Sequence, residues 1–155
     1  MRQIISVESM PGTVMRRKMA YVYEQETHEL WIRAVRSCKS ASKLAAEDPD
    51  SAASRAYYAA FYAVSALFAL QGKTFTQHRA VEAAVHRDLV HAHIWSVELG
   101  AAFSWLVRLR RTGDYGGSMH VSPDEAQEAV DKARSILQAV RTSSPVPLLP
   151  IEDEL

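Results

Sequence analysis

The sequence predicts an all-α fold: an antiparallel bundle of four long helices with one additional short helix. Three observations predict it. Apolar residues recur at alternating steps of three and four through several segments. Glycine and proline are scarce, six of each in 155 residues, and several fall outside the periodic segments. No stretch carries the strict alternation of a half-buried strand. The 17.3 kDa chain suits one compact domain, and its 48% hydrophobic content is too high for a disordered one.

Residues 1–23 contain Pro11-Gly12 and lack a clean period, so they read as an N-terminal arm to which the sequence assigns no structure. The bundle is expected over residues 24–142. Its first helix starts near Glu24 and buries Trp31, Ala34, Cys38, Ala41 and Ala45 as one stripe. Asp48-Pro49 then supplies a capping acceptor and a first-turn proline for a second helix running to Leu70 and Gln71, with Gly72 beyond its end. That helix is apolar nearly all round and should sit centrally.

A loop, GKTFTQH, leads to the short helix HRAVEAAVHRDL. The next long helix carries Trp95, Leu99, Ala102, Leu106 and Leu109 on its inner face and is expected to break at the glycine-bearing loop after Arg111. Ser122-Pro123-Asp124-Glu125 opens the last helix with a capping box, and Ala126, Val130, Ala133, Leu137 and Val140 line its inner face. Residues 143–155, with Pro145, Pro147 and Pro150, are expected to form an extended, flexible tail.

Charge narrows the functional classes. Eighteen basic residues balance eighteen acidic ones, so phosphate binding must come from a local patch rather than from net charge. The lone Cys38 excludes an intramolecular disulfide and a multi-cysteine zinc site, and its place on an apolar stripe reads as a small buried hydrophobe. The imidazoles of HRDLVHAH lie at i, i+5 and i+7, which do not share one helix face. No metal and no cofactor are expected. The N-terminus lacks the apolar core of a secretory signal, and the run Ala56–Leu70 falls short of the roughly 20 residues that span a bilayer. The expectation is a cytoplasmic protein without a membrane partner.

The stretch RLRRTGDYGG draws attention. Arg108 and Arg111 share a helix face while Arg110 points elsewhere. No acidic residue lies between Glu98 and Asp114, so the segment carries a local positive potential. Two readings fit such cations: they complement the helix C-terminus, or they hold phosphates. Arg55 sits inside the apolar second helix, where a guanidinium needs a partner. Asp114 or Tyr115 is the expected partner, in a polar network with Tyr58 and His78. Tyr57, Tyr58 and Tyr62 suit core or dimer packing, and could also stack bases.

Taken in order, Ser54-Arg55-Ala56-Tyr57-Tyr58-Ala59 with Phe61, then Gln77-His78, then Arg110 with Asp114-Tyr115, and a final VSPDEA helix resemble the HEPN domain. The resemblance covers roughly residues 26–142 and is strongest to small stand-alone members. It implies a four-helix core, homodimers, RNA cleavage or nucleotide-related binding, and pairing with a minimal nucleotidyltransferase in toxin–antitoxin modules. RNA-cleaving members carry an arginine and a histidine separated by four to six residues. Here Tyr115, preceded by Asp114, stands where that histidine would be, and the next histidine is His120.

The resemblance therefore implies a toxin-like or defence-related RNA-binding protein, with metal-independent endoribonuclease chemistry as its enzymatic form. Arg110 would take a phosphate, Tyr115 or His120 would move or position a proton, and Arg108 with Arg111 would hold the RNA backbone. The alternative is a non-catalytic binding module that docks a nucleotidyltransferase or another protein.

Overall fold

The computed structural model describes residues 2–3 and 12–151. Five α-helices make up the architecture: α1 (Thr13–Leu44), α2 (Pro49–Ala69), α3 (His78–Ala84), α4 (Val97–Tyr115) and α5 (Pro123–Ser143). Helix α2 packs against α1, α4 and α5, which makes it the centre of the bundle. A two-residue antiparallel pair, β1 (Arg2–Gln3) with β2 (Lys73–Thr74), is the one departure from helix among the described residues. No helix of the described residues is long and apolar enough to cross a membrane.

The central place of α2 follows from its composition. Ala52, Ala53, Ala56, Ala59, Ala60, Ala63, Ala66 and Ala69 are all buried, so neighbouring helices approach its backbone from several sides. Asp48 caps it through Ser51 N, with Pro49 in the first turn. Gly72 ends the turn that follows, at φ +69°, and a side chain there would strike the Tyr23 hydroxyl. Between α1 and α2, buried Thr27 donates from Oγ1 to Ala66 O at 2.8 Å.

The predicted stripes of α1 and α5 are buried without exception, and the Ser122 capping box closes reciprocally with Glu125. Helix α4 differs more. Phe103 and Leu106 are its fully buried anchors, whereas Leu99 and Ala102 are only half-buried and Trp95 precedes the helix.

Three expectations need correction. Helix α1 begins at Thr13, eleven residues before Glu24. Its first turns leave Val14, Met15, Tyr21 and Val22 exposed, so no packed face imposed a period there. Good helix formers simply extend a helix already nucleated downstream.

Helix α4, in turn, does not stop at Gly113. It runs to Tyr115, with Gly116 as the cap. A Cβ on Gly113 would lie 2.8 Å from Asp50 O, so this glycine permits close approach of α4 to the start of α2.

Nor does the proline-rich tail stand free. Trp31 Nε1 donates to Leu149 O at 2.9 Å, Arg141 Nε donates to Leu148 O at 3.2 Å, and Leu148 is buried. Residues 152–155 of that tail lie outside the described residues.

Between α3 and α4 the chain passes through a π-helical turn, Val85–Val90, where His91 N bonds back to His86 O. This turn seats His86 against Gly100, and His86 Nε2 meets Ser104 Oγ at 2.8 Å. Ser104 in turn donates to Glu82 Oε1 at 2.8 Å, which ties α3 to α4.

Gly113→Ala is expected to destabilise the fold by about 1–3 kcal/mol, because the clash is with backbone. Gly117→Asn, at φ +61° with open space around it, should be tolerated. Urea denaturation of the two variants checks this; equal stability would remove the close-approach role of Gly113.

Candidate functional site

The residues singled out in the sequence separate into two places. The first is an aromatic and cationic cluster on α2, α3 and α4. The Arg110 guanidinium lies over the rings of Tyr57 and Tyr58, with its carbon 5.1 and 5.3 Å from their centroids. Its Nη2 donates to the Tyr58 hydroxyl at 3.3 Å. Arg110 Nε lies 3.1 Å from Asp114 Oδ2, an ion pair in which the N–H is not aimed along the contact. One helical turn separates the two, so α4 itself sets the pair, and it forms because the helix continues through Gly113.

Asp114 is thus the partner of Arg110, not of Arg55. Arg55 instead lies over the outer side of the cluster, 5.1 Å from the Tyr58 centroid. It is only half-buried, so the desolvation problem inferred from the sequence is relieved by water and by the ring.

His78 completes the cluster from the first residue of α3. Its Nδ1 meets the Tyr57 hydroxyl at 2.6 Å, and its ring packs 4.8 Å from that of Phe61. Desolvation and then the nearby Arg110 charge hold the imidazole below its ordinary pKa of 6.5. Burial pushes the Tyr57 phenol well above the ordinary tyrosine value, so it keeps its proton and can donate to His78 Nδ1. The other ring nitrogen, Nε2, makes no hydrogen bond to the described residues. An arginine and a neutral imidazole therefore share one aromatic seat, although thirty-two positions separate them in sequence.

The second place is the start of α2. His120 Nδ1 bonds Asp50 Oδ2 at 2.7 Å, and Val121 N donates to Asp50 Oδ1 at 2.8 Å. The Val121 N–H, followed by His120, lowers the Asp50 carboxyl below its ordinary range. Asp50 and Tyr58 are eight residues apart on α2, about 12 Å along the axis. Within one chain His120 directs its Nδ1 to Asp50 and not to the Arg110 cluster, and it latches the loop after α4 to the N-terminus of α2.

Tyr115 is 75% exposed at the end of α4, with Met119 beside it in the loop at 70%. Arg108 and Arg111 are exposed and have no acidic partner among the described residues, and Arg111 acts electrostatically on Tyr57. No group of three acidic, histidine or cysteine side chains among the described residues could hold a metal ion.

The sequence placed Arg55, Tyr58, Asp114 and His78 in one network; Arg55 and His78 both pack on Tyr58, whereas Asp114 pairs with Arg110. The Tyr57–His78 bond and the Asp50 latch had no local signal, since each joins residues at least twenty-one positions apart.

Comparison with known proteins agrees with this architecture. The family model for the HEPN domain matches residues 27–143. This chain belongs to the HEPN domain family. A UPF0332 protein of Thermotoga maritima is 35% identical over 114 residues, covering 72% of this chain and 86% of the relative. A protein of Methanocaldococcus jannaschii named "Putative toxin MJ0142" is 27% identical over 120 residues, covering 77% and 82%. The second name describes that relative.

His78 should titrate below 6.5 in a histidine NMR titration, and Arg110→Gln should move it upward. Its folded pKa is depressed, so the neutral form is the one that folding favours. Its contribution is present above the unfolded value and is lost as pH falls from 6.5 toward the folded pKa. An unchanged His78 titration in Arg110→Gln would show that the arginine does not act on the imidazole.

Proposed function

We propose that this HEPN protein is a toxin-like RNA-binding protein whose working face is the Arg110 cluster, with metal-independent cleavage of RNA as its reaction. The observation that carries the reading is the neutral His78 imidazole seated with Arg110 on Tyr57 and Tyr58.

Exposed Arg108 and Arg111 and half-buried Arg55 are the phosphate contacts in this reading, and the half-buried rings of Tyr58, Phe61 and Tyr62 offer stacking area for an unpaired base. Arg110 has little freedom to leave its seat, being paired with Asp114 and stacked on two rings. Its charge keeps His78 neutral and adds positive potential where a phosphate would approach. His78 Nε2 then exchanges a proton with the ribose hydroxyl or the leaving oxygen. His78 takes over the imidazole role that the sequence resemblance gave to the region after Arg110. Tyr115 and His120 lie outside this seat in one chain, and in a homodimer a second copy could bring either one to it.

The exposed Tyr115 and Met119 favour a second reading, in which the α4–α5 loop docks a protein partner such as a minimal nucleotidyltransferase. RNA binding and docking are compatible on one chain.

Purified protein in chelator should cleave a mixed RNA pool, and His78→Ala should reduce the rate by about 10²–10⁴-fold while leaving binding intact. Arg108→Gln/Arg111→Gln should weaken RNA binding and flatten its salt dependence by one to two phosphate contacts, a slope change of about 0.7–0.9 for each. Binding without cleavage, unaltered by His78→Ala, would leave the docking reading. Absence of salt-dependent RNA affinity would sink both the binding and the cleavage claims.

A further inference from the structure

On the side formed by α1 and α5, a cleft of about 1010 Å³ opens between the two helices and the tail. Its rims carry Lys39 and Lys43 from α1, and Arg134 and Arg141 from α5. Among the described residues no carboxylate lines it, although acidic and basic residues are equal in number over the whole chain. Val35, Cys38 and Ile151 give it an apolar floor. Burial raises the Cys38 thiol, so the floor is uncharged.

The arrangement of the cations matters as much as their number. Lys39 and Lys43 are one turn apart, about 6 Å along α1, and Arg134 and Arg141 are two turns apart, about 10 Å along α5. By position they form two rows, one along each helix that borders the cleft. Side chains at i and i+2 of an extended peptide are about 6.5–7 Å apart and would match the spacing of the lysines.

The same surface already recognises extended backbone. Trp31 from α1 and Arg141 from α5 each donate a side-chain N–H to a main-chain carbonyl of the tail, at Leu149 and Leu148. Pro150 and Ile151 then carry the extended chain to the edge of the cleft.

We propose that the α1–α5 cleft is a docking groove for an extended acidic peptide segment of a partner protein. Carboxylates at alternate positions pair with Lys39, Lys43 and Arg134, while the intervening apolar side chains rest on half-buried Ile151. Arg134 already bonds Ser42 Oγ at 3.3 Å across the cleft, which holds its guanidinium over the groove. None of these residues belongs to the Arg110 cluster, so the groove does not depend on the RNA reading.

The experiment is fluorescence anisotropy with a fluorescein-labelled hexapeptide of alternating glutamate and leucine, beside the same peptide with glutamine for glutamate. The full chain should bind the acidic peptide at least tenfold more tightly than the neutral one. Lys43→Gln/Arg134→Gln, both at exposed positions, should lose most of that preference, whereas Arg108→Gln/Arg111→Gln should keep it. Equal affinity for the two peptides, or an undiminished preference in Lys43→Gln/Arg134→Gln, would overturn the proposal. So would tighter binding of inorganic pyrophosphate in the groove, which would make it a phosphate site. The chain's own Glu152, Asp153 and Glu154 follow Ile151 in sequence and could compete. Acidic-peptide binding that emerges only in Glu152→Gln/Asp153→Asn/Glu154→Gln still supports the groove. Its absence there and in the unaltered chain refutes it.

Discussion

The close approach of neighbouring helices to the alanine surface of α2 is the contact on which the rest of the molecule depends. Eight of its alanines are buried, which brings α1, α4 and α5 near its backbone. Small side chains gain little from burial individually. They allow Trp31, Phe103, Ile136 and Leu137 from the surrounding helices to fill the space with fully buried volume. Gly113 extends the same principle to α4, meeting the Asp50 carbonyl where a side chain would not fit.

The candidate site is a consequence of that packing. Once α4 lies close along α2, Arg110 has the faces of Tyr57 and Tyr58 as its seat. Continuation of the helix through Gly113 places Asp114 one turn further on, against the same guanidinium. Helix α3 is held beside them by Glu82 and Ser104, with the π-helical turn bringing in His86. Its first residue, His78, thereby reaches Tyr57. A neutral histidine beside a half-buried cation reflects desolvation reinforced by repulsion, and both come from tertiary neighbours.

Charge is distributed on the same logic. The chain is neutral overall, yet Arg55, Arg110 and Arg111 act on the rings of Tyr57 and Tyr58, and four other cations border the α1–α5 cleft. The two positive surfaces share no residue. The HEPN family match agrees with the helical fold class.

By itself, the sequence determined the helices with a strong local period or cap. The stripes of α1 and α5, the Asp48-Pro49 start of α2 and the Ser122 capping box were legible because each is encoded within a few residues. It also grouped Arg55, Tyr58, Asp114 and His78, but gave Asp114 to Arg55 where the fold gives it to Arg110. The early start of α1 escaped because an exposed helix need have no apolar period. Gly113 read as a breaker because its use, contact with a carbonyl sixty-three positions earlier, is invisible locally. The tail read as free because its anchors are side chains of Trp31 and Arg141 that donate to its carbonyls. Only the tertiary structure could choose which histidine joins Arg110. Sequence proximity favoured His120, but packing of α3 against α2 delivered His78, because helices bring residues together across the bundle rather than along the chain.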